Sequence, residues 1–266
     1  MRKVGEFPPH GRDVMPREEE RATRASPLHK IGIMCGRYTL VNLAHLVDLF
    51  PWIREVPEAP PRYNIAPTQP ILSVPNTDNP KLEFFVWGLI PFWAKDPSIG
   101  SQMCNARAET LAEKNSYKHA LRRRRCLIPA DGFYEWKHVP GSKVKQPMYI
   151  RMKSGEPFAF AGLWENWNSP DGSQVKSATI ITTEPNALVA PIHNRMPVIV
   201  RREDYRKWLD PGEKKPEEIG ELTALLKPYP AHEMEVYPIS TRVNSAKNEG
   251  AELIERVDPG PESLFG

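Results

Sequence analysis

The stretch RCLIPADGFYEWK (residues 125–137) decides the fold class. It holds two strand-like runs, 125–129 and 132–137, that follow one another with no helix between them. The pattern repeats on both sides. Downstream, apolar runs at 147–152, 158–164 and 177–183 read as strands, and 196–200 and 235–239 add two more. Upstream, CGRYTLV (35–41), 71–75 and 82–90 read the same way. Pro140–Lys145, with Gly141-Ser142 inside it, reads as a hairpin tip, and Pro57–Pro70 as loop. Helices are fewer. Asn42 is placed to cap a short one through Phe50, with Leu43, Leu46, Val47 and Phe50 on one face. An amphipathic helix is expected over 108–122, with Leu111, Tyr117, Ala120 and Leu121 as its stripe. Short helices are expected from Glu184-Pro185, at 203–209, and from Pro216 through Leu226. Strands that dominate without regular helical alternation exclude a doubly wound parallel sheet. The expected fold is α+β: a single domain with a curved, mostly antiparallel, barrel-like β-sheet and peripheral helices.

Composition narrows the function classes. Of 266 residues, 40% are hydrophobic and 26% charged, which fits a globular core. No apolar run approaches the roughly 20 residues of a membrane span, and the N-terminus has no apolar signal region, so a cytoplasmic location is expected. The 29 prolines are spread along the chain and read as turns, not as a linker. Net charge is +3; residues 1–34 hold seven Lys/Arg and five Asp/Glu, so the rest is close to neutral. Global charge alone therefore does not announce a nucleic-acid partner. The three cysteines, Cys35, Cys104 and Cys126, match no C-x-x-C pattern. No metal and no cofactor is expected.

Four constellations carry candidate chemistry. Cys35 directly follows Met34, where ordered-looking sequence begins. A start at Met34, with the methionine removed, makes Cys35 N-terminal, with α-amine and thiol on adjacent carbons. An α-amine with a pKa near 8 is about 10% unprotonated at neutral pH and can form a Schiff base with an aldehyde. The thiol can then close a thiazolidine ring, an intramolecular step favoured by proximity. Second, CNARAE (104–109) bunches Asn105, Arg107 and Glu109; it reads either as a grip on a phosphate or sugar oxygen or as a helix cap with Asn105 capping. Third, DGFYEW (131–136) sets Glu135 between aromatics, either for proton transfer or as part of an alternating surface strand. Fourth, IHNRMP (192–197) brings His193 beside Arg195. Two further features are weaker. Arg122–Arg125, with Lys118 one turn earlier, read as a phosphate patch or as a solvated helix end. Trp93 sits in a loop-like segment where it could stack on bases. Cys104 and Cys126 read as small buried hydrophobes.

Taken together, these blocks resemble the SOS-response-associated peptidase (SRAP) family, the abasic-site processing proteins that shield abasic sites in single-stranded DNA. MCGRYTL, RYNIAPTQ, WGLIPFWAKD, NARAET, RRRRCLIPADGFYEW, FAFAGLWE, IITTEPN, IHNRMPVIV and the late pair Val243-Asn244 occur in order from Met34 to about Ile254. The resemblance implies that Cys35 forms a thiazolidine with the ring-opened deoxyribose, with lyase-type Schiff-base chemistry. Glu135 would move protons and assist removal of any residues ahead of Cys35, the basis of the peptidase label. His193 and Thr182 would act around the opened sugar, and Asn105 would orient it. Arg37, Asn64, Trp93, Arg107, Trp136 and Arg195 would lie along the DNA: Arg37 and Arg107 at flanking phosphates, Trp93 and Trp136 beside bases. The implied partner is single-stranded DNA with an abasic site, which brings the protein to the nucleoid; a monomer is expected by default.

The extension departs from the family pattern. Residues 1–33 are charged, proline-bearing and largely aperiodic, and read as disordered or outside the mature protein. Residues 34–258 form the expected catalytic domain and 259–266 a flexible tail. With the extension attached, Cys35 has no free amine. The start then lies at Met34, or the extension is removed autocatalytically, or the chemistry is lost. Competing readings are a cysteine peptidase or amidohydrolase using Cys35 with His193, and a non-covalent single-stranded DNA module built on the arginines and aromatics.

Overall fold

A computed structural model of the chain describes residues 36–258. The expectations for residues 1–33, for Cys35 and for 259–266 lie outside the described residues. Thirteen strands and four short helices are seen in the described part: β1 (Tyr38–Leu40), α1 (Leu46–Leu49), β2 (Arg62–Ile65), β3 (Pro70–Pro75), β4 (Glu83–Trp87), β5 (Asn105–Arg107), α2 (Lys118–Arg123), β6 (Arg125–Ala130), β7 (Gly132–Lys137), β8 (Gln146–Met152), β9 (Phe158–Asn168), β10 (Gln174–Thr183), β11 (Met196–Pro197), β12 (Ile199–Val200), α3 (Tyr205–Trp208), α4 (Ile219–Thr223) and β13 (Met234–Pro238). The fold is α+β, as the strand spacing implies.

The two runs of RCLIPADGFYEWK belong to different sheets. β6 lies in a closed ring ordered β4-β3-β6-β9-β10, in which β10 returns to pair with β4. That closing pair is parallel, at Ser177↔Val86 and Ala178↔Trp87, so the barrel is mixed. β7 lies in a second, wholly antiparallel sheet ordered β13-β8-β7-β1-β2. Asp131 is the joint. Its N–H donates to the Thr39 carbonyl (2.9 Å), and its carboxylate accepts the backbone N–H groups of Val41 and Asn42. The turn between the sheets is thus pinned to the segment that follows β1.

The two longest strands close the barrel by changing partners along their length. β9 pairs with β6 over its first half and with β10 over its second. β10 pairs with β4 and then β5 on one side, and with β9 and then β11 on the other. Gly162 sits where these strands press closest. A Cβ there would meet Cys126 Sγ at 2.8 Å and the Thr179 carbonyl at 3.0 Å, so only glycine fits. The core between the sheets includes Tyr38, which meets Trp87 edge-on (centroids 5.3 Å) and Phe160 (5.7 Å). On the outer face of the second sheet, Tyr134, Tyr149 and Tyr237 form a smaller cluster.

Several local expectations are corrected. RYNI, expected as loop, is strand β2 at a sheet edge. The flanking prolines mark that edge, where a missing N–H costs least. The helix expected over 108–122 is a 3-10 turn (Ala108–Thr110), further turns, and only then α2. Its apolar stripe is buried nonetheless; Asn115 and Ser116, weak helix formers, interrupt it. Asn42 makes no side-chain cap, and Val47, expected inward, is exposed while Leu49 is buried. No helix forms at Glu184-Pro185. There the Asn186 carboxamide accepts the N–H groups of Leu188 (3.1 Å) and Val189 (3.0 Å), which fixes a turn instead.

Candidate functional site

β7 sets the first side chain. Its residues alternate: Tyr134 and Trp136 join the outer tyrosine cluster, while Phe133 joins the core facing the barrel. Strand period two then aims Glu135 to the barrel side with Phe133. Glu135 is only 2% exposed, so the surface-strand reading is excluded. The start of β1 runs antiparallel beside it. Tyr38 pairs with Phe133, and the Tyr134 N–H donates to the Arg37 carbonyl (3.0 Å).

The barrel supplies a second group. β5 lies parallel to β10, with Asn105 opposite Ile180 and Arg107 opposite Thr182. Asn105 is therefore a strand residue and not a helix cap; it is half-buried, and its carbonyl accepts the Tyr117 hydroxyl (3.3 Å). Thr182 is fully buried, near the end of β10. Arg195 ties this corner together. Its guanidinium donates to both carboxylate oxygens of Glu109 (2.7 and 2.8 Å) and to the Thr182 carbonyl (2.7 Å). Its backbone N–H donates to His193 Nδ1 (3.1 Å). Nδ1 also lies 3.3 Å from the Arg195 carbonyl, so it faces both a donor and an acceptor of that residue. Burial lowers the imidazole pKa; the backbone contact with Arg195 opposes this, and the charges of Lys145 and Arg195 add to the lowering. The net effect favours the neutral ring.

Three of the residues expected along the DNA hold a loop. Asn64 is fully buried, and its Nδ2 donates to the carbonyls of Val243 (3.3 Å), Ser245 (2.9 Å) and Asn248 (3.0 Å). Arg37 also donates to Val243 (3.2 Å), and burial lowers its pKa. Trp136 Nε1 donates to Asn244 Oδ1 (2.7 Å). The Val243-Asn244 pair is therefore clasped against β1, β2 and β7; for Asn244 the sole signal in the sequence is its place among the family blocks. Trp93 is 49% exposed, and its neighbour Phe92, which carries no mark in the sequence beyond being aromatic, is 53% exposed. Arg107 is exposed.

The arginines of the run engage partners within the fold to different degrees, Arg123 remaining exposed at the helix end. Arg122 and Arg123 pair with Glu213 (2.8 and 3.0 Å). Arg124 forks onto the buried Glu165 (3.0 and 2.9 Å). Arg125 is fully buried and donates to the carbonyls of Leu121, Arg122, Trp208, Asp210 and Gly212. Cys104 and Cys126 are buried; burial pushes the Cys104 thiol up to about 12 and Cys126 higher still. Among the described residues, no cluster of three or more His, Cys, Asp or Glu is placed to hold a metal, and no helix is long and apolar enough to cross a membrane.

The profile of the SOS response associated peptidase (SRAP) family matches residues 34–246, and the chain belongs to that family. The chain is 49% identical over 226 residues to the abasic site processing protein YoqW of Bacillus subtilis, covering 84% of this chain and 99% of that one. It is 34% identical over 201 residues to the abasic site processing protein HMCES of Rattus norvegicus, covering 65% of this chain and 56% of that one. A crystal structure of a protein from Bacteroides thetaiotaomicron superposes with a TM-score of 0.73 at 27% identity, over 84% of this chain and all of that one.

Proposed function

We propose that this chain processes abasic sites in single-stranded DNA by capturing the ring-opened deoxyribose on Cys35 as a thiazolidine. The capture needs Cys35 at the N-terminus, and the family match beginning at residue 34 supports that boundary. The carrying observation is the β1–β7 register. With Tyr38 opposite Phe133, counting back along β1 sets Gly36 against Glu135. Cys35 is the next residue in sequence, so the reactive amine and thiol precede a strand registered on a buried carboxylate.

The chemistry balances as follows. The free α-amine attacks the aldehyde carbon, and the carbinolamine loses water to give an imine. The thiol sulfur adds to the imine carbon, and its proton ends on nitrogen. Amine, thiol and aldehyde become a thiazolidine and one water. Glu135 takes a proton from the ammonium and returns it to the departing hydroxyl. The oxygen freed when the sugar ring opens takes up the proton that the C1′ hydroxyl loses, and neutral His193 steadies it by a hydrogen bond. Asn105 orients the sugar, and Thr182, its carbonyl held by Arg195, lies at the same corner. Arg107 carries a flanking phosphate, and Trp93 offers a face for stacking. Arg37, Asn64, Arg195 and Trp136 serve the strand by holding the walls in place. Removal of residues ahead of Cys35 uses the same carboxylate.

The test is a denaturing gel of protein beginning at Cys35 with an oligonucleotide holding one abasic site. The full chain, Cys35→Ala, Glu135→Gln and His193→Ala run alongside. A slow band with the Cys35 form, absent with Cys35→Ala and slowed in the other two, is expected. If no form gives a band, or if Glu135→Gln and His193→Ala react at the wild-type rate, the assignment fails.

A further inference from the structure

The arginines of 122–125 all have partners within the fold, whereas the lysines of a second basic stretch have no ion pair among the described residues. Residues 137–145, KHVPGSKVK, include Lys137, Lys143 and Lys145 and no acidic residue. They form the hairpin that joins β7 to β8, with Lys137 opposite Gln146 as the last paired rung. The tip is built, not loose. The Ser142 N–H donates to the Val139 carbonyl (3.1 Å), the Ser142 hydroxyl accepts the Val144 N–H (3.0 Å), and Gly141 takes φ +78°, which favours glycine. All three lysines are exposed, and among the described residues none of them is in an ion pair. Val144 beside them is 58% exposed.

The position of the hairpin gives this charge a use. It rises from the strand that carries Glu135. Lys137, two residues on, shares that residue's face of the strand. Lys145, at the other root, is near enough for its charge to act on the His193 imidazole. Cations without an ion pair among the described residues therefore stand at the end of the β7–β8 ladder that carries Glu135. Lysine ammonium groups on flexible stems suit phosphate as point charges without regard to base.

We propose that the β7–β8 hairpin is a phosphate-binding finger that takes the backbone of the single strand next to the abasic nucleotide. It rests on the preceding reading for the identity of the strand. Each phosphate that the hairpin no longer neutralises should flatten the plot of log affinity against log salt by about 0.7 for a single strand. The triple variant K137Q/K143Q/K145Q of the full chain is measured by fluorescence anisotropy on an intact, non-abasic oligonucleotide across a salt series. K81Q/K153Q/K227Q, with the same charge change at exposed lysines elsewhere, is the control, and thermal melts verify that both fold. The hairpin variant should lose about 2 from the slope, the control little. A wild-type slope in the hairpin variant, or an equal loss in the control, overturns the finger. Because the binding arm uses intact DNA, absence of any covalent band with the wild type would sink the thiazolidine reading and leave the hairpin result standing by itself.

Discussion

Replacing Arg125 by Met separates the two meanings of the arginine run. Arg125 is fully buried and, among the described residues, has no carboxylate within hydrogen-bond reach; backbone carbonyls hold its charge instead. Leu121 and Arg122 belong to the last turn of α2, and Trp208 ends α3, so one guanidinium satisfies the C-terminal carbonyls of two helices. Methionine fills much of the volume but strands those acceptors. Hydrogen bonds to a charged group contribute about 1.5–3 kcal/mol each, yet they are not additive, and truncating one side of a buried charged network costs about 3–5 kcal/mol in all. At about 2–4 °C per kcal/mol for a domain of this size, Arg125→Met should melt roughly 10 °C lower. Arg125→Lys, with its charge retained but fewer donors, should fall between. The assay is a calorimetric melt, paired with binding to single-stranded DNA well below the transition. A variant that melts within about 2 °C of wild type but binds DNA more weakly would refute the structural role and restore the phosphate-patch reading.

Three further outcomes follow from the site. His193 has a lowered pKa, so its contribution to stability is fully present above the unfolded value near 6.5. It is lost as pH falls from there through the folded value, because the unfolded chain binds the proton first. Crosslinking should fall over the same window, as protonation places a hydrogen on Nδ1 against the Arg195 N–H; a pH–rate profile of His193→Gln should lack that limb, and an unchanged limb would show that another group sets it. Arg195→Met should slow crosslinking more than Glu109→Gln, since it also releases the Thr182 carbonyl; Glu109 is half-exposed, so its loss should cost about 1 kcal/mol or less, and single-turnover rates that rank the other way would contradict the geometry. Cys104 and Cys126, with thiols raised by burial, should resist alkylation at neutral pH in the native protein and react in urea; mass spectrometry that finds native labelling at either would place it at the surface.

The longer strands were legible because each carries its own signal. β6, β7, β8, β9 and β10 all announce themselves by apolar, β-branched or aromatic runs, and the extents of β6 and β7 match the sequence reading within a residue. The site residues were legible as types: a glutamate between aromatics is unusual whether or not one knows what it faces. β2 was hidden because prolines on both sides look like a loop, and only the partner strand β1 makes the segment extended. The interrupted helix at 108–123 shows the converse. Burial of Leu111, Tyr117, Ala120 and Leu121 satisfies the stripe without requiring one continuous helix.

By itself the sequence determined the secondary-structure class, the order of the family blocks and the chemistry open to an N-terminal cysteine, since these depend on neighbours within a few residues. Only the tertiary structure decided that β6 and β7 part into different sheets, that Glu135 faces the barrel, that Asn64 and Arg195 brace the walls, and that Arg122–Arg125 find partners within the fold while the lysines of the hairpin have no ion pair among the described residues. Charge and burial are properties of what surrounds a side chain. Those surroundings come from residues as distant along the chain as Glu213 from Arg123 and Val243 from Arg37.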